Sequence, residues 1–219
     1  MHNPGGGVSA YTNAIYRKIL NKEYKHSVRT ERTKESLQNM GFDAIHTGCV
    51  TQWCLTPSFC ESIRKTKGSV ALVTLTDYNR NPHLDRKILE IVCKNYEQVF
   101  FWQQGIYDAE YLHSLIKDRK TITILPPSVS AYASFLKTYP AIDYIGTRYH
   151  GGIFAMRHKA RCIVITLDER MNAMQASIAN NCIARHDVED KLEKMLLEEI
   201  PTKVAIDFEG IQQWKDQFQ

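Results

Sequence analysis

The sequence predicts a doubly wound, mostly parallel α/β sheet, and three observations carry that expectation. Ser69–Thr76 reads as a continuous apolar strand, the pattern of strands buried on both faces, and Val99–Gln103 and Arg161–Leu167 read as further mostly apolar strands. Segments with helical periodicity alternate with them, as repeated strand–helix units require. Polar residues collect at six of the predicted strand ends, the place where open α/β sheets bind ligands.

Taken in order, Met1–Gly7 is Pro- and Gly-rich and reads as a loose start. Ala10–Leu20 follows as an amphipathic helix with Ala10, Ala14, Ile15 and Ile19 on one side. Tyr24–Arg29 reads as a strand and Thr30–Met40 as a helix stopped by Gly41. Ala44–Thr47 is the next strand, with a loop beyond Trp53 broken by Pro57, and Ser69–Thr76 the strand after it. From there the alternation is regular: helix Leu84–Tyr96, strand Val99–Gln103, helix Tyr107–Lys117, strand Thr121–Leu125, helix Ser130–Lys137. A strand around Tyr144–Thr147 leads into a helix at His150, then strand Arg161–Leu167 and a helix from about Arg170. Cys182–Ala184, Val188–Leu197, Val204–Ile206 and a last helix read as strand, helix, strand, helix. The expected organisation is an appendage over 1–22 and one domain over 23–219. Arg29, His46, Asp77, Gln104 and His150 are expected near one edge of a single sheet.

Composition narrows the function classes. A net charge of +4, from 28 basic and 24 acidic residues without a concentrated block, favours anionic ligands over nucleic acid. No apolar run approaches the roughly 20 residues of a membrane helix. The six cysteines are irregularly spaced, mostly in apolar runs, and read as free thiols of a cytoplasmic protein. His46, Cys49, Cys54 and Cys60 offer four zinc-ligand types but lack Cys-x-x-Cys knuckles, so no metal is expected.

The richest stretch is Asp143–Met156. Here a strand turns into a helix whose first N–H groups have no internal partners. Gly151 and Gly152 leave those donors approachable, Arg148 supplies a planar cationic fork, and His150 a titratable imidazole. An ordinary strand–helix turn with a solvated Arg and a capping His is the plain alternative. The other strand ends contribute Arg29, Thr47-Gly48, Thr74 to Tyr78, Trp102 to Gly105 with Asp108, and Asp168 to Arg170. Expected substrate contacts are Arg29, Thr76, Gln104, Thr147, Arg148, His150, Gly151, Gly152 and Arg170. Trp102 and Tyr78 are of a type that stacks on sugar rings, although packing is the simpler expectation.

Several of these segments carry a resemblance. His26–Thr33, Thr47–Trp53, Thr74–Tyr78, Phe101–Gly105 and Tyr144–Ile153 resemble the polysaccharide pyruvyl transferase family in order and spacing, with Arg-x-His-Gly at 148–151 the most specific part. The likeness runs from about Tyr11 to the C-terminus. Val50 stands where the family often has Pro, and Thr30 where an acid usually follows Arg29. The resemblance implies the Rossmann-like C-terminal half of a GT-B-like two-domain fold. It also implies transfer of pyruvate from phosphoenolpyruvate to hydroxyls of a surface-polysaccharide sugar, free or lipid-linked, to form a ketal. The family's N-terminal domain would precede Tyr11, so this chain is expected to carry the donor site with reduced turnover.

Phosphoenolpyruvate presents a phosphate and a carboxylate, and Arg148, Arg29 and the helix N-terminus are donors suited to both. His150 is the expected proton donor, and Asp77 or Asp168 the expected acceptor of a hydroxyl proton. No cofactor is expected. Two further readings are a nucleotide-sugar glycosyltransferase of similar fold and an anion-binding remnant without turnover. The stripe Ile211, Trp214, Phe218 is expected to pack partly on the chain's own N-terminal helix and partly in a homodimer.

Overall fold

The computed structural model describes residues 9–116, 122–167 and 176–219. They fall into two compact units: the residues up to Trp53 together with Ile206–Gln219, and Cys54–Ala205.

The larger unit is built on six parallel strands: β3 (Val70–Thr74), β4 (Gln98–Trp102), β5 (Ile122–Leu125), β6 (Ile142–Gly146), β7 (Arg161–Thr166) and β8 (Cys182–Ala184), in the order β5-β4-β3-β6-β7-β8. β3, β6 and β7 are buried along their whole length, which is why they are mostly apolar, with Asp143 and Arg161 as buried exceptions. Side chains alternate between two cores. Ala71, Val73, Ile145, Ile163 and Ile165 point to one face, with α4 (Pro82–Asn95), α5 (Asp108–Leu115) and α8 (Val188–Leu197). Val70, Leu72, Tyr144, Cys162 and Val164 point to the other, with α3 (Pro57–Glu61), α6 (Val129–Thr138) and α7 (Tyr149–Arg157). A period of two on the strands therefore places a helical layer on each face, and the sheet is doubly wound.

The smaller unit contains α1 (Ala10–Ile19) and a strand–helix–strand unit in which β1 (His26–Val28) and β2 (Ala44–His46) pair in parallel around α2 (Glu31–Asn39). The Thr30 side chain accepts from the Thr33 N–H to cap α2, and Gly41 takes φ 83° just past its end, where a Cβ would be strained. Val28, Leu37, Met40, Phe42 and Ala44 form its core, with Tyr16 and Leu20 of the α1 segment against it. α9 (Phe208–Asp216) returns to this unit, with Gly210 so close to β2 that a Cβ there would lie 3.1 Å from Ile45 Cγ2. Beyond it, the Gln217 amide accepts from the Lys25 N–H (2.8 Å) and donates to the Lys25 carbonyl (3.0 Å), as a neighbouring strand would.

Three expectations are corrected. β1 and β2 form their own sheet, so Arg29 and His46 do not belong to the edge of the six-stranded one. The pair is short and closes a complete local unit around α2, so it needs no place in the central sheet. Val204–Ile206 is not a strand; that run crosses from one unit to the other without strand pairing. Pro57 does not merely break a loop, because it opens the first turn of α3, where its missing N–H costs nothing. The helix expected from Arg170 lies outside the described residues. Among the described residues no helix is long and apolar enough to cross a membrane. None of the six cysteines forms a disulfide.

Candidate functional site

From β3 the chain winds outward through β4 to β5, then returns to β6 and winds the other way through β7 to β8. β3 and β6 are hydrogen-bonded neighbours, so the direction of winding reverses between them. At such a reversal the loops leaving two adjacent strands diverge and open a crevice. The loops in question carry Thr76-Asp77 after β3 and Thr147-Arg148 after β6.

Arg148 bridges that crevice. Its Nη2 donates to Asp108 Oδ1 at 2.6 Å and to Asp77 Oδ1 at 3.2 Å. Its side chain is 15% exposed, against 14% for Asp77 and 0% for Asp108. Asp108, first residue of α5, is the anchor of the group. Its carboxylate also accepts from the Gln104 N–H (3.0 Å), the Gly105 N–H (2.7 Å) and the Asp77 N–H (3.3 Å). Gly105 lies against all three charged groups. A Cβ there would fall 2.9 Å from Arg148 Nη2 and 3.0 Å from both Asp77 Oδ1 and Asp108 Oδ1. Tyr78 lies beside the guanidinium, its ring centroid 5.1 Å from Arg148 Cζ.

Hydroxyls fix the turn beneath. Tyr144 donates to the Arg148 carbonyl at 2.6 Å and pairs with the Thr74 hydroxyl at 2.5 Å. Burial pushes the Tyr144 phenol well above its ordinary value, so it stays protonated as this donor. Thr76 and Thr147 hydroxyls are buried and bonded to each other at 2.8 Å, tying the β3 loop to the end of β6. Gly146 is needed here, because a Cβ would fall on the Thr74 hydroxyl.

Arg148 is the N-cap of α7, without a capping side chain, and His150 is exposed in the first turn. The two glycines that follow are buried. A Cβ on Gly151 would meet Gln104 Nε2 and Tyr144 Oη, both at 2.9 Å, and one on Gly152 would meet Cys162 Sγ at 2.8 Å. Their smallness thus lets the helix approach the sheet, a reason distinct from leaving room for an anion.

The structure therefore brings Thr76, Asp77, Gln104, Thr147, Arg148, His150, Gly151 and Gly152 to the carboxyl ends of β3, β4 and β6. Arg29 lies just after β1 in the other unit, exposed, its carbonyl 3.0 Å from His46 Nε2. Asp168 and Arg170 lie outside the described residues. Trp102 packs, buried and stacked on Tyr132 at 4.0 Å, whereas Tyr78 is 78% exposed. Trp214 of the terminal stripe meets Trp53 edge to face, and Phe218 meets Tyr24. Among the described residues no three His, Cys, Asp or Glu side chains are placed to hold a metal ion. Sequence reasoning noticed Asp108 at a strand end but assigned it nothing. Its only signal was an acid in the first turn of a helix, which serves the helix dipole equally well.

The family model for polysaccharide pyruvyl transferase matches residues 5–169, which include both β1–β2 and the crevice between β3 and β6. No curated protein matches the chain. The matched span covers most of the sequence and carries the Arg148–Gly152 turn, and the chain belongs to the polysaccharide pyruvyl transferase family.

Proposed function

We propose that the chain is a pyruvyl transferase domain that binds phosphoenolpyruvate at the Arg148 turn and directs its pyruvyl group to two hydroxyls of a saccharide. The observation that carries this reading is the guanidinium of Arg148 standing at the winding reversal, with the start of α7 beside it. A phosphate or carboxylate there meets a fixed cation and the N–H groups of the first helical turn together.

The chemistry is balanced as follows. The acceptor hydroxyl oxygen bonds to C2 of phosphoenolpyruvate and loses its proton, while the methylene carbon gains one and becomes a methyl. The C2–O bond to phosphate then breaks with its electron pair on the departing phosphate. A second hydroxyl closes the ketal at C2 and releases its proton. His150, exposed in the first turn of α7, is the group that gives a proton to the methylene. Arg148 and the helix start hold the charge that phosphate carries away. The acceptor is a polysaccharide sugar or its precursor, a class that follows from the family.

Titration calorimetry with phosphoenolpyruvate tests the donor site. Arg148→Gln keeps a polar side chain but removes the charge, and affinity is expected to fall by about tenfold or more. Equal affinity in the two proteins sinks the reading.

A further inference from the structure

The two carboxylates on Arg148 are held very differently. Asp108 has no exposed surface and accepts four hydrogen bonds, so releasing it would strand a charge inside the fold. Asp77 sits farther from Nη2, 3.2 Å against 2.6 Å, and is partly open to water. Among the described residues its carboxylate has only that one ion pair. Its main chain is anchored independently, because its N–H donates to Asp108 and its carbonyl accepts from Arg80 Nε at 2.8 Å. The side chain can therefore swing away while the loop stays in place. Charge points the same way. One guanidinium facing two carboxylates is net negative, a poor place for a third anion unless one carboxylate leaves.

We propose that Asp108 is the positioning residue of the Arg148 site and that Asp77 is its exchangeable occupant, standing on Nη2 where the phosphate or carboxylate of the ligand will bind. Asp108 keeps the guanidinium oriented throughout. Gly105 keeps the exchange sterically open, since no larger residue fits between the three groups. The exchange has a chemical use: an Asp77 carboxylate set free from Arg148 beside the ligand is an acceptor for the proton of the attacking hydroxyl. The proposal rests on Arg148 being an anion contact.

Asp77→Asn and Asp108→Asn, titrated calorimetrically with phosphoenolpyruvate and with inorganic phosphate alongside thermal melts, test it. Removing the occupant's charge is expected to tighten binding by about tenfold. Removing the anchor's charge is expected to weaken it by a similar factor, with phosphate following the same order. A merely structural role for both acids predicts lower melting temperatures and no gain in affinity in either variant. Asp77→Asn binding no more tightly than the natural protein, while Arg148→Gln binds more weakly, overturns the exchange and leaves the donor site standing. Binding unaffected by Arg148→Gln overturns both. Should Asp108→Asn fail to fold, Asp77→Asn decides alone.

Discussion

The six-stranded sheet carries an arginine–aspartate cluster at each end, and the two are put together in opposite ways. At the amino end, Asp143 near the start of β6 faces Arg161 at the start of β7, both side chains 1% exposed. Asp143 accepts from Arg161 (2.9 Å), Arg64 (2.5 Å), the Gly68 N–H (3.1 Å) and the Tyr96 hydroxyl (2.5 Å). Arg161 turns its other fork onto the carbonyls of Met195, Leu196 and Glu198, where α8 ends and a cation suits the helix dipole. Every partner is protein, and the Asp143–Arg161 pair itself is sealed from water. At the carboxyl end Arg148 gives only Nη2, shared between two acids, and stands at a reversal of winding. The same pair of residue types thus makes a clamp at one end and an adjustable site at the other. What separates them is how far the guanidinium is engaged: among the described residues Arg161 commits both terminal nitrogens to four acceptors, whereas Arg148 commits only Nη2.

The largest expected effect tests the clamp. Asp143→Ala leaves the Arg161 guanidinium buried beside Arg64 without a carboxylate, a defect worth about 3–5 kcal/mol. Urea denaturation measures it, and a loss below about 1 kcal/mol breaks the comparison, because the amino end would then be no more demanding than a surface pair.

Tyr96→Phe is a smaller incision in the same cluster. It removes one hydrogen bond to a charged carboxylate, worth about 1.5–3 kcal/mol at neutral pH. It also changes the response to alkali. Burial first, and the neighbouring Asp143 second, push the Tyr96 phenol well above its ordinary value of 10.0. The folded state therefore requires the protonated phenol. Its contribution is whole below pH 10 and declines as pH rises beyond that, by up to about 1.4 kcal/mol per pH unit. Denaturation curves above pH 10 should fall less steeply for Tyr96→Phe, and identical slopes count against a buried phenol.

Gly105→Ala probes the other end, where the smallest change in stability goes with a clear change in binding. The added methyl presses on the tips of Arg148, Asp77 and Asp108, two of which are partly exposed and can shift, so about 1 kcal/mol of stability is at stake. Phosphoenolpyruvate affinity should drop several-fold, because the displaced guanidinium no longer faces the crevice. A variant that binds normally shows that the Gly105 contact has no part in the site.

The strand–helix alternation was legible because it rests on local periodicity. Val188–Leu197 and Cys182–Ala184 emerge with the boundaries their pattern suggests, and Thr30 and Gly41 cap and stop α2 by side-chain and backbone preferences readable one residue at a time. Legible too was the placement of Thr76, Asp77, Gln104 and Arg148 at the carboxyl ends of strands, where the candidate crevice lies. What each does there was not. Arg148 reads in sequence as a waiting cation, and only the fold reveals that two acids from the β3 and β4 loops already hold it. Gly151 reads as an open approach to helix N–H groups, and only the fold shows Tyr144 and Gln104 against it.

The sequence by itself thus determined the class of sheet, the helical layers on its two faces and the candidate turn, because hydrophobic periods of 2 and 3.6 and capping preferences act over a few residues. Tertiary structure alone decided that β1 and β2 close a separate sheet, that Asp108 rather than a sequence neighbour anchors Arg148, and that Asp143 and Arg161 form a clamp. These facts join residues 18 to 40 positions apart. Strand order sets such pairings, and strand order leaves no mark on the local pattern of the chain.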